Sequence, residues 1–438
     1  MTYWRCLCYA EIMNYRKRII ENSIKDGLEV AGVVFVRGVK ACGKTETAKQ
    51  FAKSDINLQN TRNKTLAQID TSSALLGDTP RLIDEWQEVP NIWNDTKIEV
   101  DERKAKGQFI LTGSATLGSD IELHSGAGRY VITEMSTMTW SELGISNGAV
   151  SLKDLFARKT LSVKQNQIGL RSIAEKLAVG GWPENLGLTE RQALLLNKSY
   201  YKLLTSDDIS RVAKVKRDTN KARKLVQSLA RNIATTVDTK TLATDTDCDV
   251  IGTAGITLSR QVTYDYLEDL TKLMMVREQK AWKTHIRSAA TLRESSKRHL
   301  IDPSLAVAAL DLDSNAVFDD LNYFGFLFES QVYHDLVVYA RELGGEVYHY
   351  RDSYNNEVDE VVELNNGDFI FVEVKLGDIE AEIDETAKKL IDISNNLVSK
   401  KKLKSLNIIT GTGYTYTRPD GVNVISLSSL GSSNDSGN

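Results

Sequence analysis

The stretch Gly38-Val39-Lys40-Ala41-Cys42-Gly43-Lys44-Thr45 fits the pattern G-x-x-x-x-G-K-[ST] and follows an apolar run, Gly32-Val33-Val34-Phe35-Val36. A buried-type strand that breaks into a glycine-containing turn and then a helix is the context in which this pattern carries meaning. The glycines let backbone N–H groups turn inward around anionic oxygens. The helix expected over residues 45–52 aims its partially positive end at the same point, and Lys44 adds a point charge. Gly38, Cys42, Gly43, Lys44, Thr45 and Glu46 are therefore expected around a bound nucleotide phosphate, with the Thr45 hydroxyl directed at Mg²⁺. An ordinary strand–turn–helix can match the same pattern by chance, so the weight falls on what lies downstream.

Arg81-Leu82-Ile83-Asp84-Glu85-Trp86-Gln87-Glu88 is a short apolar strand ending in paired carboxylates, the form of a Walker B motif. Asp84 at the strand's carboxyl end can hold a magnesium shell, and Glu85 is placed to polarise an attacking water. Gln108-Phe109-Ile110-Leu111-Thr112-Gly113-Ser114 is another buried-type strand, and its hydroxyl residues Thr112 and Ser114 are candidates to sense a γ-phosphate. Turn chemistry after a strand would select the same residues. Arg129, behind the glycine-rich loop His124–Gly128, can deliver a charge onto a transferring phosphoryl group from a neighbouring subunit, or it is a plain surface arginine.

These four stretches, in this order and spacing, resemble an AAA+-type P-loop ATPase. The nearest likeness is to prokaryotic ATPases whose C-terminal part is described as a winged helix followed by a PD-(D/E)xK nuclease-like fold. The resemblance spans essentially the whole chain and is most specific over residues 32–145. It implies an α/β fold: a P-loop parallel sheet over 1–149, a helical lid over 150–215, a winged helix over 216–296 and a C-terminal α/β PD-(D/E)xK-like domain over 297–430. It also implies ATP and Mg²⁺ as cofactors, and it transfers biochemical parts more securely than a cellular role.

Composition agrees with a multidomain protein. The chain has 438 residues, and a prior of about 150 residues per domain gives about three units. Hydrophobic content of 41% and charged content of 26%, with a mean hydropathy of −0.29, are ordinary for a soluble chain. No apolar run is long enough to cross a bilayer, and the N-terminus lacks a signal-peptide core. Four scattered cysteines, Cys6, Cys8, Cys42 and Cys248, offer neither zinc spacing nor a disulfide framework, which suits a reducing cytoplasm. A net charge of −4 argues against a globally basic nucleic-acid binder but leaves room for a local basic patch.

Residues 1–31 read as helical, with Ile12, Tyr15, Ile19, Ile20 and Ile24 on one face. Helical periodicity dominates 150–215, broken by Gly180-Gly181-Trp182-Pro183-Glu184. Residues 211–231 carry eight basic side chains, among them Lys214, Lys216 and Arg217, against the single acid Asp218. A helix over 221–237, a second from Thr257 and a strand near Met274–Arg277 follow. That order suits a winged helix, with Ser259, Arg260, Thr263 and Tyr264 near the groove-reading end. The acidic face Asp265, Glu268 and Asp269 is unfriendly to phosphates, so DNA contact and protein contact both stay open.

The last stretch reads as helix 324–342, strands 346–351, 357–364 and 369–375, helix 380–398 and strand 406–410, with a polar tail over 431–438 expected to be disordered. Alternation puts Glu373 and Lys375 on one face of their strand, and a hairpin through Asn365–Asp368 brings Asp359 beside them. Asp359, Glu373 and Lys375, with Glu329 in support, then form a divalent-metal site for phosphodiester cleavage, in which Asp359 and Glu373 ligate the metal. A salt-bridged solvent face is the other reading. Three functions remain: an ATPase that drives a nucleic-acid-directed module, with a homo-oligomer required if Arg129 acts in trans; an ATP-regulated nuclease; and an ATP-binding interaction protein.

Overall fold

Five short strands build the first sheet: β1 Val33–Gly38, β2 Ser54–Asn57, β3 Arg81–Asp84, β4 Phe109–Gly113 and β5 Tyr130–Met135. They lie in the order β2-β3-β4-β1-β5 with every pairing parallel. Crossover connections cover both faces of such a sheet, so its inner strands are continuously apolar instead of alternating. Val33, Val34, Val36, Leu82, Ile83, Phe109, Ile110 and Leu111 are accordingly shut off from solvent. Aromatic rings fill one face. Phe35 meets Trp86 edge-on at 5.9 Å, Trp86 leans on Trp93 at 5.2 Å, and Trp93 stacks on Tyr130 at 4.2 Å.

The computed structural model describes residues 15–113, 126–163, 168–213, 215–246, 258–283, 295–352, 356–397 and 401–433. The chain divides into two compact units. The first holds this sheet and comprises Met1–Thr137 with Trp182–Gly187 and Lys272–Met275; the second comprises Met138–Gly181, Leu188–Thr271 and Val276–Asn438.

In the second unit, β6 Val150–Ser151 and β7 Ser162–Val163 precede a run of helices. Helices Thr219–Arg231, Thr239–Asp245 and Arg260–Lys272 are followed by β8 Val276–Gln279 and β9 Lys297–Leu300, which pair antiparallel. Asp218 and Asp238 start the first two of these helices by accepting hydrogen bonds from the backbone N–H groups of Asn220 and Thr241, as acids do at the N-cap. The long helix Leu321–Glu342 leads into β10 Gly345–Arg351, β11 Glu357–Leu364 and β12 Asp368–Lys375. Helix Glu380–Asn396, β13 Lys402–Thr410, β14 Thr415–Thr417, β15 Asn423–Ser426 and β16 Leu430–Gly431 complete the order. The large sheet runs β10-β11-β12-β13-β15-β14-β7. β10, β11 and β12 form an antiparallel meander, and β13 joins β12 in parallel after its helix. Gly367, at φ +81°, makes the turn between β11 and β12.

Three expectations change. The N-terminal helix is Glu21–Val30 only, and residues 15–18 run outside it; the stretch before residue 15 lies outside the described residues. Residues 150–163, expected to start a helical lid, do form the helix Leu152–Phe156, but on either side of it they supply β6 to β16 and β7 to β14. Such two-residue strands owe their existence to a partner more than 250 residues away, so local periodicity cannot show them. The tail is packed further than its polarity suggests. Gly431 belongs to β16 and Ser432 is buried, while 434–438 lie outside the described residues. Among the described residues no helix is long and apolar enough to cross a membrane.

Candidate active site

The register of the first sheet decides what meets at its carboxyl edge. Val36 of β1 is level with Thr112 of β4, and Thr112 is level with Asp84 of β3. The loop after β1 therefore emerges beside the ends of β3 and β4, where ligands bind in open α/β sheets. Within that loop Ala41 has φ 63° and Gly43 φ 100°, the left-handed values that turn successive N–H groups to one side. At Gly38 a Cβ would come within 2.3 Å of the Met135 carbonyl oxygen, so the strand can pass only as glycine. Cys42 is buried with its thiol 3.7 Å from the same oxygen.

Lys44 is buried, and its ammonium donates to the carbonyls of Gly38 at 3.0 Å and Val39 at 2.9 Å, arching back over its own loop. Thr45 Oγ1 donates to Asp84 Oδ1 at 2.8 Å. Thr112 Oγ1 donates to the same oxygen, and Asn57 Nδ2 donates to Asp84 Oδ2 at 2.9 Å. Asp84 is thus a buried carboxylate held on both oxygens. Glu85 follows in the left-handed region at φ 57° and ψ 47°. The buried Trp86 ring anchors this bend, and Gln87 Nε2 donates to Glu85 Oε2. Burial pushes the Glu85 carboxyl above its ordinary range, against the pull of the Lys44 charge. A proton acceptor beside phosphates works with that bias.

The donor set suits Mg²⁺ and a nucleotide triphosphate. A hydroxyl and a carboxylate at the same point are hard oxygen ligands, and the glycine loop with Lys44 makes an anion cradle. The Glu46 side chain turns outward, exposed and paired with Lys49 at 2.8 Å, which leaves its backbone N–H in the first helical turn as the group it can offer the cradle. Ser114 lies outside the described residues. Arg129 stands at the amino end of β5, where its carbonyl accepts from Val33 N at 3.0 Å, and its exposed side chain pairs with Asp101 at 2.8 Å. The whole length of β1, roughly 17 Å at 3.3 Å per residue, separates it from its own phosphate loop. Sequence reasoning missed Arg18 and Asn57. Arg18 is buried and donates to the carbonyls of Cys42 and Ser136 at 2.8 Å each.

In the second unit the hairpin does bring Asp359 to Glu373. Glu360 pairs with Val372, one step further along the register sets Asp359 opposite Glu373, and Asp359 Oδ2 accepts from Val374 N at 2.9 Å. Glu329 joins from the helix, but through lysines. Lys297 Nζ donates to Glu329 Oε1 at 2.6 Å and stands 3.5 Å from Asp359 Oδ1. Lys389 Nζ donates to Glu373 Oε1 at 2.6 Å, while Lys375 is 3.9 Å from it. Burial, with the Asp359 charge second, pushes both Glu329 and Glu373 up to about 7. Burial opposes the Lys297 charge, but the surrounding carboxylates overcome it and hold this ammonium above the ordinary lysine range. Among the described residues no three His, Cys, Asp or Glu side chains stand so as to hold a metal ion, so as they stand these residues do not fit one.

Of the groove-reading candidates, Ser259 and Arg260 are exposed and Tyr264 is half-exposed, with Arg260 over its ring. Thr263 faces inward, fully buried. Arg217 is committed to the buried Asp269 at 2.7 Å and lies over Tyr266. Lys214 lies outside the described residues.

Comparison with known proteins agrees on the first unit. Residues 31–144 match the family model of an AAA domain. Residues 170–316 and 324–430 match two further models, Domain of unknown function (DUF8612) and Domain of unknown function (DUF4143). The parallel sheet, the loop and the AAA match together define an AAA-type P-loop ATPase domain over residues 31–144. A comparison with curated proteins finds no match. Among solved structures, a Walker-type ATPase of Pyrococcus abyssi is 11% identical, over 66% of this chain and 94% of that one, with a TM-score of 0.38. The ORC1 protein of Aeropyrum pernix, solved in complex with DNA, is 12% identical, over 68% and 93%, with a TM-score of 0.25. Likenesses this distant carry no argument about activity.

Proposed function

We propose that the chain is a Mg²⁺-dependent ATPase whose N-terminal unit hydrolyses ATP to drive a nucleic-acid-directed C-terminal unit. The observation that carries the first half is Asp84, which accepts from Thr45 and Thr112 at the mouth of the Lys44 loop. Thr45 and Asp84 hold the cation, which when bound supplies charge neutralisation at the phosphates. Lys44 leaves its loop carbonyls for the phosphate oxygens, Thr112 fixes the orientation of Asp84, and Glu85 takes the proton of the attacking water. Arg129 is too far from its own loop to help there, so a catalytic Arg129 acts in a neighbouring subunit.

For the second half, three helices followed by the β8–β9 pair support a winged-helix reading. Lys216, just before the first of these helices, and Arg231, Lys240 and Arg260 on them lie exposed, with Arg231 in contact with Asp245. The order helix, β10, β11, β12, helix, β13 supports a PD-(D/E)xK-like reading of the C-terminal sheet. The test is steady-state ATP turnover with and without single- or double-stranded DNA. Turnover that DNA stimulates supports both halves; turnover indifferent to every nucleic acid removes the second.

A second reading, cleavage of nucleic acid at Asp359, Glu373 and Lys375, has one observation in its favour. Glu373 Oε2 is buried without a partner among the described residues. The reading requires Lys297 to leave Glu329 and Asp359, and it predicts Mn²⁺ uptake by the nucleotide-free protein. Calorimetry that detects none removes it.

A further inference from the structure

Arg18 is a charged side chain buried in the first unit, and nothing about the phosphate pattern calls for it. It lies in the segment that enters the helix Glu21–Val30, twenty residues before Gly38 in the chain. Its guanidinium spans two elements that the sheet topology sets side by side. One nitrogen donates to the carbonyl of Cys42 inside the phosphate loop, and another donates to the carbonyl of Ser136 just past the end of β5, each at 2.8 Å. The same guanidinium packs against Gly43, since a Cβ built there would lie 3.4 Å from it.

The segment is fixed at both ends. Arg18 N donates to Glu21 Oε1 at 2.7 Å, and the Tyr15 hydroxyl lies 2.7 Å from the same carboxylate oxygen and 3.2 Å from Thr47 Oγ1, on the helix that follows the loop. The side chain is therefore a brace whose orientation its own backbone sets.

A loop that cradles phosphate must direct its N–H groups at the ligand, which requires its carbonyls to point the other way. Lys44 occupies the carbonyls of Gly38 and Val39. When Lys44 swings to a phosphate those two lose a partner, whereas the Cys42 carbonyl, adjacent to the left-handed Ala41 and Gly43, keeps its own. A guanidinium is suited to this post because it stays charged, offers several donors in one plane, and tolerates burial better than an ammonium.

We propose that Arg18 is a positioning residue of the ATP site: it holds the Cys42 peptide with its carbonyl turned back, so that the loop N–H groups converge on phosphate before nucleotide arrives. The proposal rests on the ATPase reading above. It assigns Arg18 to nucleotide affinity more than to the chemical step, because its guanidinium bonds hold the phosphate loop and the end of β5.

The test compares the full chain with Arg18→Gln, Arg18→Lys and Lys44→Ala. The readouts are equilibrium binding of a fluorescent ATP analogue with Mg²⁺, the split of ATP turnover into KM and kcat, and hydrogen exchange of the Val39–Lys44 amides. Arg18→Gln can still reach one carbonyl, and the one hydrogen bond from a charged donor that it loses is worth a ~10- to 100-fold change in affinity. Arg18→Gln is expected to raise Kd and KM by about that factor, to change kcat by less than about threefold, and to speed exchange within Val39–Lys44. Arg18→Lys, which keeps the charge but spans one carbonyl, is expected to fall between. Parental affinity in Arg18→Gln overturns the proposal while leaving the ATPase reading intact. So does a lowered melting temperature with unchanged loop exchange, and so does failure of both variants to fold, which marks a purely structural arginine. A parent that binds the analogue no better than Lys44→Ala overturns both readings together.

Discussion

Replacing Asp84 with Asn keeps the shape of the side chain and removes its charge, and the surrounding bonds dictate the outcome. Oδ1 can still accept from Thr45 and Thr112. The new amide nitrogen then meets Asn57 Nδ2, and two donors face each other where one bond of 2.9 Å stood. Asn57 can flip its amide only by giving up the bond its Oδ1 accepts from Gln59 N at 2.7 Å. Either way one polar group loses its partner. Because Asn57 is only half-buried, the cost lies at the lower end of the usual range, about 1 kcal/mol, or roughly 2–4 °C in melting temperature for a domain of this size. The catalytic loss is far larger: the cation site gives up its carboxylate, and ATP turnover is expected to fall about 100-fold or more. Adding Asn57→Asp to Asp84→Asn separates the two effects. The carboxylate introduced at position 57 accepts both from Gln59 N and from the amide introduced at position 84, so the melting temperature recovers. The charge now sits on the neighbouring strand, and turnover does not recover. Calorimetric melting and steady-state turnover on the parent, the single variant and the double variant are the assays. Parental turnover in Asp84→Asn refutes the cation assignment, and turnover that recovers along with stability refutes the claim that charge at residue 84 matters.

Three further outcomes are expected. Mixed under assembling conditions, inactive Arg129→Ala and Lys44→Ala chains regain turnover at hybrid interfaces if Arg129 acts in trans; no rescue between chains shown to exchange assigns Arg129 to its surface pair with Asp101. Replacing Lys216, Lys221 and Lys224 together with Gln lowers both DNA affinity and its salt slope by the share of phosphate contacts removed, measured by titration at several salt concentrations; Arg217 is left alone because it serves Asp269. Burial holds His349 down at about 4, so the folded state resists the proton that the unfolded chain takes up below about 6.5. The stability it contributes is present above that value and is lost as pH falls toward 4. Glu329 and Glu373, pushed up to about 7, act in the opposite sense, so the melting temperature of His349→Asn is compared with the parent from pH 7.5 to 4.5. The variant is expected to lose less on acidification, and parallel curves would refute the assignment.

The nucleotide site is legible in the sequence because its chemistry is local. A continuous apolar strand, a glycine that admits the Met135 carbonyl and a left-handed bend after Asp84 all leave marks within a few residues of the groups they serve. The same holds for β11 and β12, where alternation and a tight hairpin together place Asp359 beside Glu373. What fails to show is what the fold brings from elsewhere. Arg18 sits among basic residues of a stretch that reads as a helix surface, and nothing near it indicates that Ser136 will lie within reach. Lys297 and Lys389 reach the acidic cluster from a hairpin and a helix, and a long, flexible lysine stem leaves no periodic trace of where its charge ends. Thr263, expected on the groove-reading side of its helix, joins the buried face instead. Thr263 stands three, four and seven residues before the buried Tyr266, Leu267 and Leu270 and so shares their face, and a small hydroxyl side chain adds little apolar signal to show it.

Whether the Gly38–Thr45 loop is a working ATP site is tested most directly by binding and turnover of Mg²⁺-ATP in three full-length chains. The parent is expected to bind and hydrolyse, Glu85→Gln to bind equally well with turnover reduced about 100- to 10,000-fold, and Lys44→Ala to bind no nucleotide. Equal ATP affinity in Lys44→Ala and the parent contradicts the assignment of the loop as a nucleotide site.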